Sequence, residues 1–183
     1  MRLYKPAQAM PPKQLREKYI MSDLILESVK NKAIQEVAEF IKLKAKECQA
    51  RGWSFVATSD APESFKALKA SVFNGCIPVA DYGCDKSIYG EPMTNIIFRF
   101  WHDVTHLELD SGFSVAGETT VIEAHLSEAR EANLSPLAMR ILYADTIGQV
   151  LYYDKYKQFV DCQDAWLDSC LAHGVKKALG FKH

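Results

Sequence analysis

Apolar residues recur at helical spacing along most of this chain, and the alternation typical of strands is rare. The pattern predicts a first helix from Ser22, a suitable N-terminal cap, to about Gly52. Residues 53–57 are either a short strand or an apolar connector. A shorter helix is predicted from Pro62 to about Phe73, because proline is favoured in the first turn of a helix.

The pattern changes at residues 74–92, where three glycines and two prolines predict a long irregular loop. Loops of this length in compact domains are often functional, so these residues are also a candidate lid. Helices are then predicted over residues 93–109 and from about 118 to 133. A very apolar helix runs from about 135 to 153, and a last helix from about 161 to 179.

These elements predict a mainly α protein, a single-domain bundle of about six helices with one long irregular loop. Residues 1–20 contain three prolines and several charges, which predict an extended N-terminal arm. Residues 21–183 are predicted to form one α-helical domain, because they are enough to bury a single core.

Composition excludes some classes of function. The formal net charge of −1 gives no electrostatic indication of nucleic-acid binding. No apolar run is long enough for a membrane span, and the start of the chain lacks the apolar core of a signal peptide. The five cysteines include no CxxC pair, which favours reduced thiols in a cytoplasmic protein.

The helix that covers NIIFRFWHDVTHLELD is apolar around most of its circumference and should be largely buried. Its polar residues fall within one arc of roughly 100°. They are Asn95, Arg99, His102, Asp103, His106 and Asp110. Because these residue types ligate metals, move protons or hold anions, the strip is a candidate site.

His102 and His106 are spaced i, i+4, so one helix face presents two imidazoles one turn apart, as in zinc and iron sites. Asp103 is either a third ligand or an outer acceptor that fixes a histidine tautomer. On the next helix, Glu118 and His125 share the face predicted to point inward. Glu118 is expected to meet the two histidines, whereas His125 is either a base or a core histidine.

Two further residues are candidates with alternatives. Asp145, in the very apolar helix, is a further ligand, a general base, or a buried partner of Arg99 or Arg140. Arg99 either binds an anionic group of a substrate or forms a structural ion pair.

The His102-Asp103 doublet resembles that of the HD-domain metal phosphohydrolases, in which a His, a His-Asp doublet and a later Asp hold one or two divalent metals. The resemblance implies Asp145 as the later aspartate. No histidine precedes His102, so His106 would have to replace the family's first ligand. The segment FRFWHDVTH also resembles uncharacterised proteins carried by phages and plasmids.

We therefore expect a metal-dependent hydrolase with Zn²⁺, Fe or Mn²⁺ bound by His102, His106 and Glu118, with or without Asp103. The metal would activate a water for attack on a small anionic substrate, a phosphoester or nucleotide-like molecule.

In this interpretation Asp145 or His125 accepts the proton of the water, and Arg99 holds the anion. One alternative is a non-enzymatic interaction protein of a mobile element, with a structural polar core. Another is a non-haem iron oxygenase, since two histidines and a carboxylate also describe its iron site.

Overall fold

The structure, a computed structural model, describes the backbone of residues 12–181 and the side chains of residues 24–181. It confirms the predicted mainly α fold and adds one small sheet that was not predicted. The helices are α1 Pro12–Ala50, α2 Phe65–Ser71, α3 Pro92–Glu108, α4 Val115–Glu131, α5 Pro136–Asp145, α6 Ile147–Tyr156, α7 Gln163–His173 and α8 Val175–Ala178, and the strands are β1 Ser54–Thr58 and β2 Cys76–Ala80. Within the described residues, every helix is too short or too polar to span a membrane.

Helix α1 begins at Pro12, earlier than the predicted start at Ser22. Residues 12–20 of the predicted extended arm are therefore helical, and residues 1–11 lie outside the described residues. The prediction of an extended arm was wrong for residues 12–20, because proline does not disrupt the first turn of a helix. The N–H group that proline lacks would be unpaired in that turn in any case.

Contacts divide the chain into two units after Lys32, later than the predicted end of the arm at residue 20. The described part of the first unit belongs to α1. It exposes four large apolar side chains, which are Leu24, Ile25, Leu26 and Val29. The second unit begins at Ala33 and contains the rest of α1 and all later elements.

The core of the second unit draws mainly on α1, α3, α4 and α5, with further buried residues from α2, β2, α7 and α8. Its most buried apolar residues include Val37, Ile41, Phe100, Val104, Ile122, Ala129, Ile141 and Leu142. Phe40 of α1 meets Trp101 of α3 edge to face, with ring centroids 5.5 Å apart. The core therefore fixes α3, which carries the polar strip, against its neighbours.

Strands β1 and β2 form a two-stranded parallel sheet, with α2 as the connection between them. The register runs from Ser54 opposite Cys76 to Thr58 opposite Ala80. This confirms the strand alternative for residues 53–57 and places a strand and a short 3-10 turn, Cys84–Lys86, inside the predicted loop 74–92. The strand was missed because Pro78 indicates a loop, although proline is tolerated where a strand has few partners.

Two predicted helices are each interrupted. The apolar helix from residue 135 breaks between α5 and α6 at Thr146, which leaves helical backbone angles at φ −104° and ψ −89°. The last helix breaks between α7 and α8 at Gly174, whose φ of 80° favours glycine. Periodicity did not reveal these breaks, because the apolar pattern continues through both.

Candidate metal centre

Helix α3 carries His102 and His106 one turn apart, on the face that meets α4. Their Nε2 atoms lie 3.0 Å from each other. The side chain of His106 is fully buried, whereas that of His102 is 19% exposed. The predicted pair of imidazoles is therefore present, with one member deep and one closer to solvent.

Glu118 reaches the two histidines because α4 begins close to the end of α3. Ser114 caps α4 by accepting a hydrogen bond from the Gly117 amide at 3.2 Å. Gly117 packs so tightly against Gly112 that a Cβ atom there would lie 1.8 Å from the Gly112 carbonyl oxygen. This close approach places the next residue, Glu118, over the imidazoles of α3.

The three side chains converge on a small triangle. Glu118 Oε2 lies 3.0 Å from His102 Nε2 and 3.4 Å from His106 Nε2. A tetrahedral ion with bonds of about 2.0–2.1 Å separates its ligand atoms by about 3.3 Å, and an octahedral ion by about 2.9 Å. The observed separations span this range, so His102, His106 and Glu118 can hold a metal ion.

The tautomer of His106 is fixed by the backbone. Its Nδ1 lies 2.7 Å from the carbonyl oxygen of Ser111, which only accepts hydrogen bonds, so Nδ1 carries a proton and donates it. In the neutral ring Nε2 then presents a lone pair to His102 and Glu118. A proton or a cation must lie among the three atoms, since otherwise their lone pairs repel one another.

Charge at the centre follows from these contacts. Burial would raise the pKa of Glu118, but hydrogen bonds from His102 and His106 outweigh burial and lower it to about 2. Burial would lower the pKa of His106, but the contacts with Glu118 and Ser111 outweigh burial and raise it. Without metal, the cluster therefore favours an anionic carboxylate beside a protonated imidazole.

Asp103 is outside the triangle, although it was a candidate ligand. Its carboxylate is half-buried, and the loss of solvent raises its pKa to about 6 against the opposing effect of His102 and His106. Asp103 therefore influences the charge of the centre without joining the three converging atoms.

His125 lies behind His102. Its Nε2 is 3.2 Å from His102 Nδ1, the nitrogen that does not face Glu118. The ring is fully buried, and burial is the main reason that its pKa lies well below the usual value. The nearby imidazoles of His102 and His106 lower the pKa further. The predicted inward orientation of His125 is correct, but its contact is with the far side of a candidate ligand.

Arg99 is held by the backbone at the end of β2. Its Nη1 donates to the carbonyl oxygens of Ala80 at 3.0 Å and Tyr82 at 2.9 Å. The guanidinium also lies 5.8 Å from the centre of the Tyr82 ring. These contacts join α3 to the segment after β2, and the predicted ion pair with Asp145 is not among the contacts of Arg99 within residues 24–181.

Asp145 belongs to a different hydrogen-bonded group. Tyr89 donates its hydroxyl to Asp145 Oδ2 at 2.6 Å, and Gln149 donates its amide to Oδ1 at 2.6 Å. Burial raises the pKa of Asp145, and these two hydrogen bonds oppose the increase only in part. Among the described residues, Asp145 is not grouped with the three candidate ligands.

Replacing Asp145 with Asn should change stability in a pH-dependent way. A carboxyl whose pKa is raised by folding stabilises the protein below its ordinary value of 3.8, and this contribution is lost as pH rises through the raised value. The amide cannot ionise, and it still pairs with Tyr89 and Gln149 after reorientation. The free energy of unfolding of Asp145→Asn, measured in urea from pH 3 to pH 7, should therefore improve relative to wild type as pH rises. A difference that is constant across this range contradicts the prediction.

Sequence reasoning missed two features of the centre, the Ser111 carbonyl and the packing of Gly117 on Gly112. Away from the centre, it missed the Tyr89 hydroxyl as the partner of Asp145. Only the turn at residues 110–114 had a local signal, because its Ser and Gly residues mark the approach to a helix start.

Support for a metal centre comes from the distances among His102, His106 and Glu118. No family model matches the chain, and neither the curated proteins nor the solved structures contain a match to it.

Proposed function

We propose that the protein is a metal-dependent hydrolase whose metal is bound by His102, His106 and Glu118. One observation supports this most strongly: three lone-pair atoms from two helices converge at 3.0–3.4 Å, with the proton of His106 directed away from them. Three protein ligands are the number typical of catalytic zinc sites, which keep a further position for water or substrate.

The open position would lie on the side of His102 and Glu118, whose side chains are each 19% exposed. Zn²⁺, Fe²⁺ or Mn²⁺ suits this donor set, and a bound divalent ion would supply a water that ionises near neutral pH. We place the protein in the cytoplasm, where its five free cysteines would stay reduced.

The preferred substrates are small anionic molecules, with phosphoesters and nucleotides first. A divalent ion with two neutral imidazoles and one carboxylate keeps a positive charge, which favours an anion at the open position. Arg99 precedes His102 by one turn on α3 and adds positive charge at the helix, although two backbone carbonyls already bind its Nη1. Neither Asp145 nor His125 is assigned the role of general base, because Asp145 is hydrogen-bonded to Tyr89 and Gln149, and His125 contacts the far nitrogen of His102 rather than the open position.

Elemental analysis and activity screens test this function together. Untagged wild type is expected to contain about one metal ion per chain and to hydrolyse members of a phosphoester panel. His102→Ala and His106→Ala should lose both properties, while His173→Ala, an exposed histidine on α7, should keep them. Metal without hydrolysis of any phosphate or phosphate-free ester would reject the hydrolase, and absence of metal after reconstitution would reject the site.

An iron oxygenase is the second candidate, because two histidines and one carboxylate are the ligand set of non-haem iron oxygenases. An oxygenase would require iron rather than zinc for activity. Anaerobic loading with Fe²⁺, followed by measurement of oxygen consumption, separates the two candidates.

A further inference from the structure

We propose that His125 is a positioning residue that holds His102 in the orientation and tautomer needed to bind the metal. This inference rests on the proposed metal site, and it assigns His125 a role different from that of a general base. It follows from three features of the structure: the second nitrogen of each ligand, the packing of the His125 ring, and the atom that His125 leaves unpaired.

The second nitrogen of each candidate ligand has one partner. His106 donates Nδ1–H to the Ser111 carbonyl at 2.7 Å. For His102 to offer the lone pair of Nε2, its proton must sit on Nδ1, and the hydrogen-bond partner of Nδ1 is His125 Nε2 at 3.2 Å. His125 therefore takes the place that a carbonyl or carboxylate holds beside most metal-binding histidines.

The ring of His125 is immobilised by its neighbours. It is fully buried on α4, and its centroid lies 3.7 Å from that of Trp101 and 6.3 Å from that of Phe98. Phe98 also stacks against His102, with centroids 5.8 Å apart. These contacts keep the two imidazoles in one relative orientation, so the position of His102 depends on His125.

The unpaired atom limits the protonation of the His125 ring. His125 Nδ1 is buried and has no hydrogen-bond partner within the described residues. A doubly protonated ring would need an acceptor at both nitrogens, so the ring holds one proton. When that proton is on Nδ1, His125 Nε2 accepts from His102 Nδ1, which is the tautomer pair that leaves His102 Nε2 free for the metal. An apolar side chain would avoid the unpaired nitrogen, so packing alone does not account for a histidine here.

The test compares His125→Leu with His125→Gln, because the Gln oxygen can occupy the position of Nε2 and leucine cannot accept a hydrogen bond. Zinc affinity, measured by competition with a chromophoric chelator, should fall 10–100-fold in His125→Leu. Most of this loss should be recovered in His125→Gln. Val121→Ala, at another fully buried position of α4, controls for loosened packing and should change the affinity less than 3-fold.

A spectroscopic signature separates positioning from packing. In zinc-loaded wild type labelled with ¹⁵N, His102 Nδ1 should appear protonated and show a coupling across the hydrogen bond to His125 Nε2. His125→Leu should lose this coupling while its metal-free form remains folded by circular dichroism. A change of packing alone predicts no such coupling.

The affinities of the three proteins separate the role of His125 from the existence of the metal site. Equal affinity in wild type and His125→Leu, or equal losses in the Leu and Gln variants, overturns the role of His125 while the metal site stands. Loss in Leu and recovery in Gln supports the role even if no substrate is hydrolysed. A wild type that binds no zinc rejects the proposed site and this inference with it, which the titration of wild type alone reveals.

Discussion

Zinc should raise the free energy of unfolding of the wild type by about 4 kcal/mol when free zinc is about 1,000 times the dissociation constant. The physical reason is that His102, His106 and Glu118 converge only in the folded protein, so the ion binds the native state in preference to the unfolded chain. Urea unfolding at fixed free zinc, with and without a chelator, measures the difference.

Glu118→Gln should lose most of this increment, because the amide cannot supply the negative charge that balances the ion. An affinity loss of about 100-fold would leave only about 1.4 kcal/mol at the same zinc concentration. His173→Ala, which alters an exposed histidine on α7, should retain the full increment. If His102→Ala unfolds the protein equally with zinc and with chelator, the cluster is a structural polar core and the non-enzymatic alternative is favoured.

Above about pH 6.5, where His106 loses its proton, the stability of the metal-free protein should change with pH in the opposite direction to zinc binding. The pKa of His106 is raised by folding. Its protonated ring therefore contributes fully to the free energy of unfolding when the pH is below its ordinary pKa of 6.5, and this contribution is lost as the pH rises through the raised pKa. The ionised carboxylate of Glu118 contributes to the free energy of unfolding when the pH is above its ordinary pKa of 4.5, and this contribution is lost as the pH falls toward its lowered pKa of about 2. Zinc displaces the proton from the cluster, so the increment due to zinc should grow as pH rises above about 6.5.

Gly117→Ala should cost about 3 kcal/mol of stability and weaken zinc binding. Its Cβ atom would meet the backbone carbonyl of Gly112 at 1.8 Å, and a backbone atom cannot move aside as a flexible side chain does. Either the turn at residues 110–113 or the first turn of α4 must shift, and Glu118 is the next residue of that helix. Urea unfolding and zinc competition on the same variant measure both effects.

Gly112→Ala is the matched control for this prediction. Its Cβ atom would lie 3.8–3.9 Å from the Phe65 side chain, an ordinary van der Waals contact in the same turn. The variant should change stability by less than about 1 kcal/mol and leave zinc affinity unchanged. Similar losses in Gly112→Ala and Gly117→Ala would show that the turn tolerates neither methyl group, and that close packing at Gly117 has no special role.

The candidate site was predictable where it depends on local geometry. The i, i+4 spacing of His102 and His106 follows from the helix repeat, and the inward direction of Glu118 follows from the apolar face of α4. A short turn between two helices was sufficient to predict that these three side chains meet.

Asp145 and Arg99 were not predictable in the same way. Both are polar groups on largely apolar helices, and the sequence indicates only that each needs a partner. Gln149, one partner of Asp145, is one helical turn away, but the Tyr89 hydroxyl and the carbonyls of Ala80 and Tyr82 come from residues 80–89, where the composition indicated only an irregular loop. A choice among several chemically suitable partners depends on distances that no local pattern contains.

The sequence by itself determined the mainly helical fold, the buried face of α3 and the grouping of two histidines with a glutamate, because helix periodicity relates residues within a few turns. Only the tertiary structure decided the pairing of β1 with β2, the breaks at Thr146 and Gly174, and the placement of His125 behind His102. These features depend on contacts between segments distant along the chain, and their free energy comes from packing that local propensity does not specify.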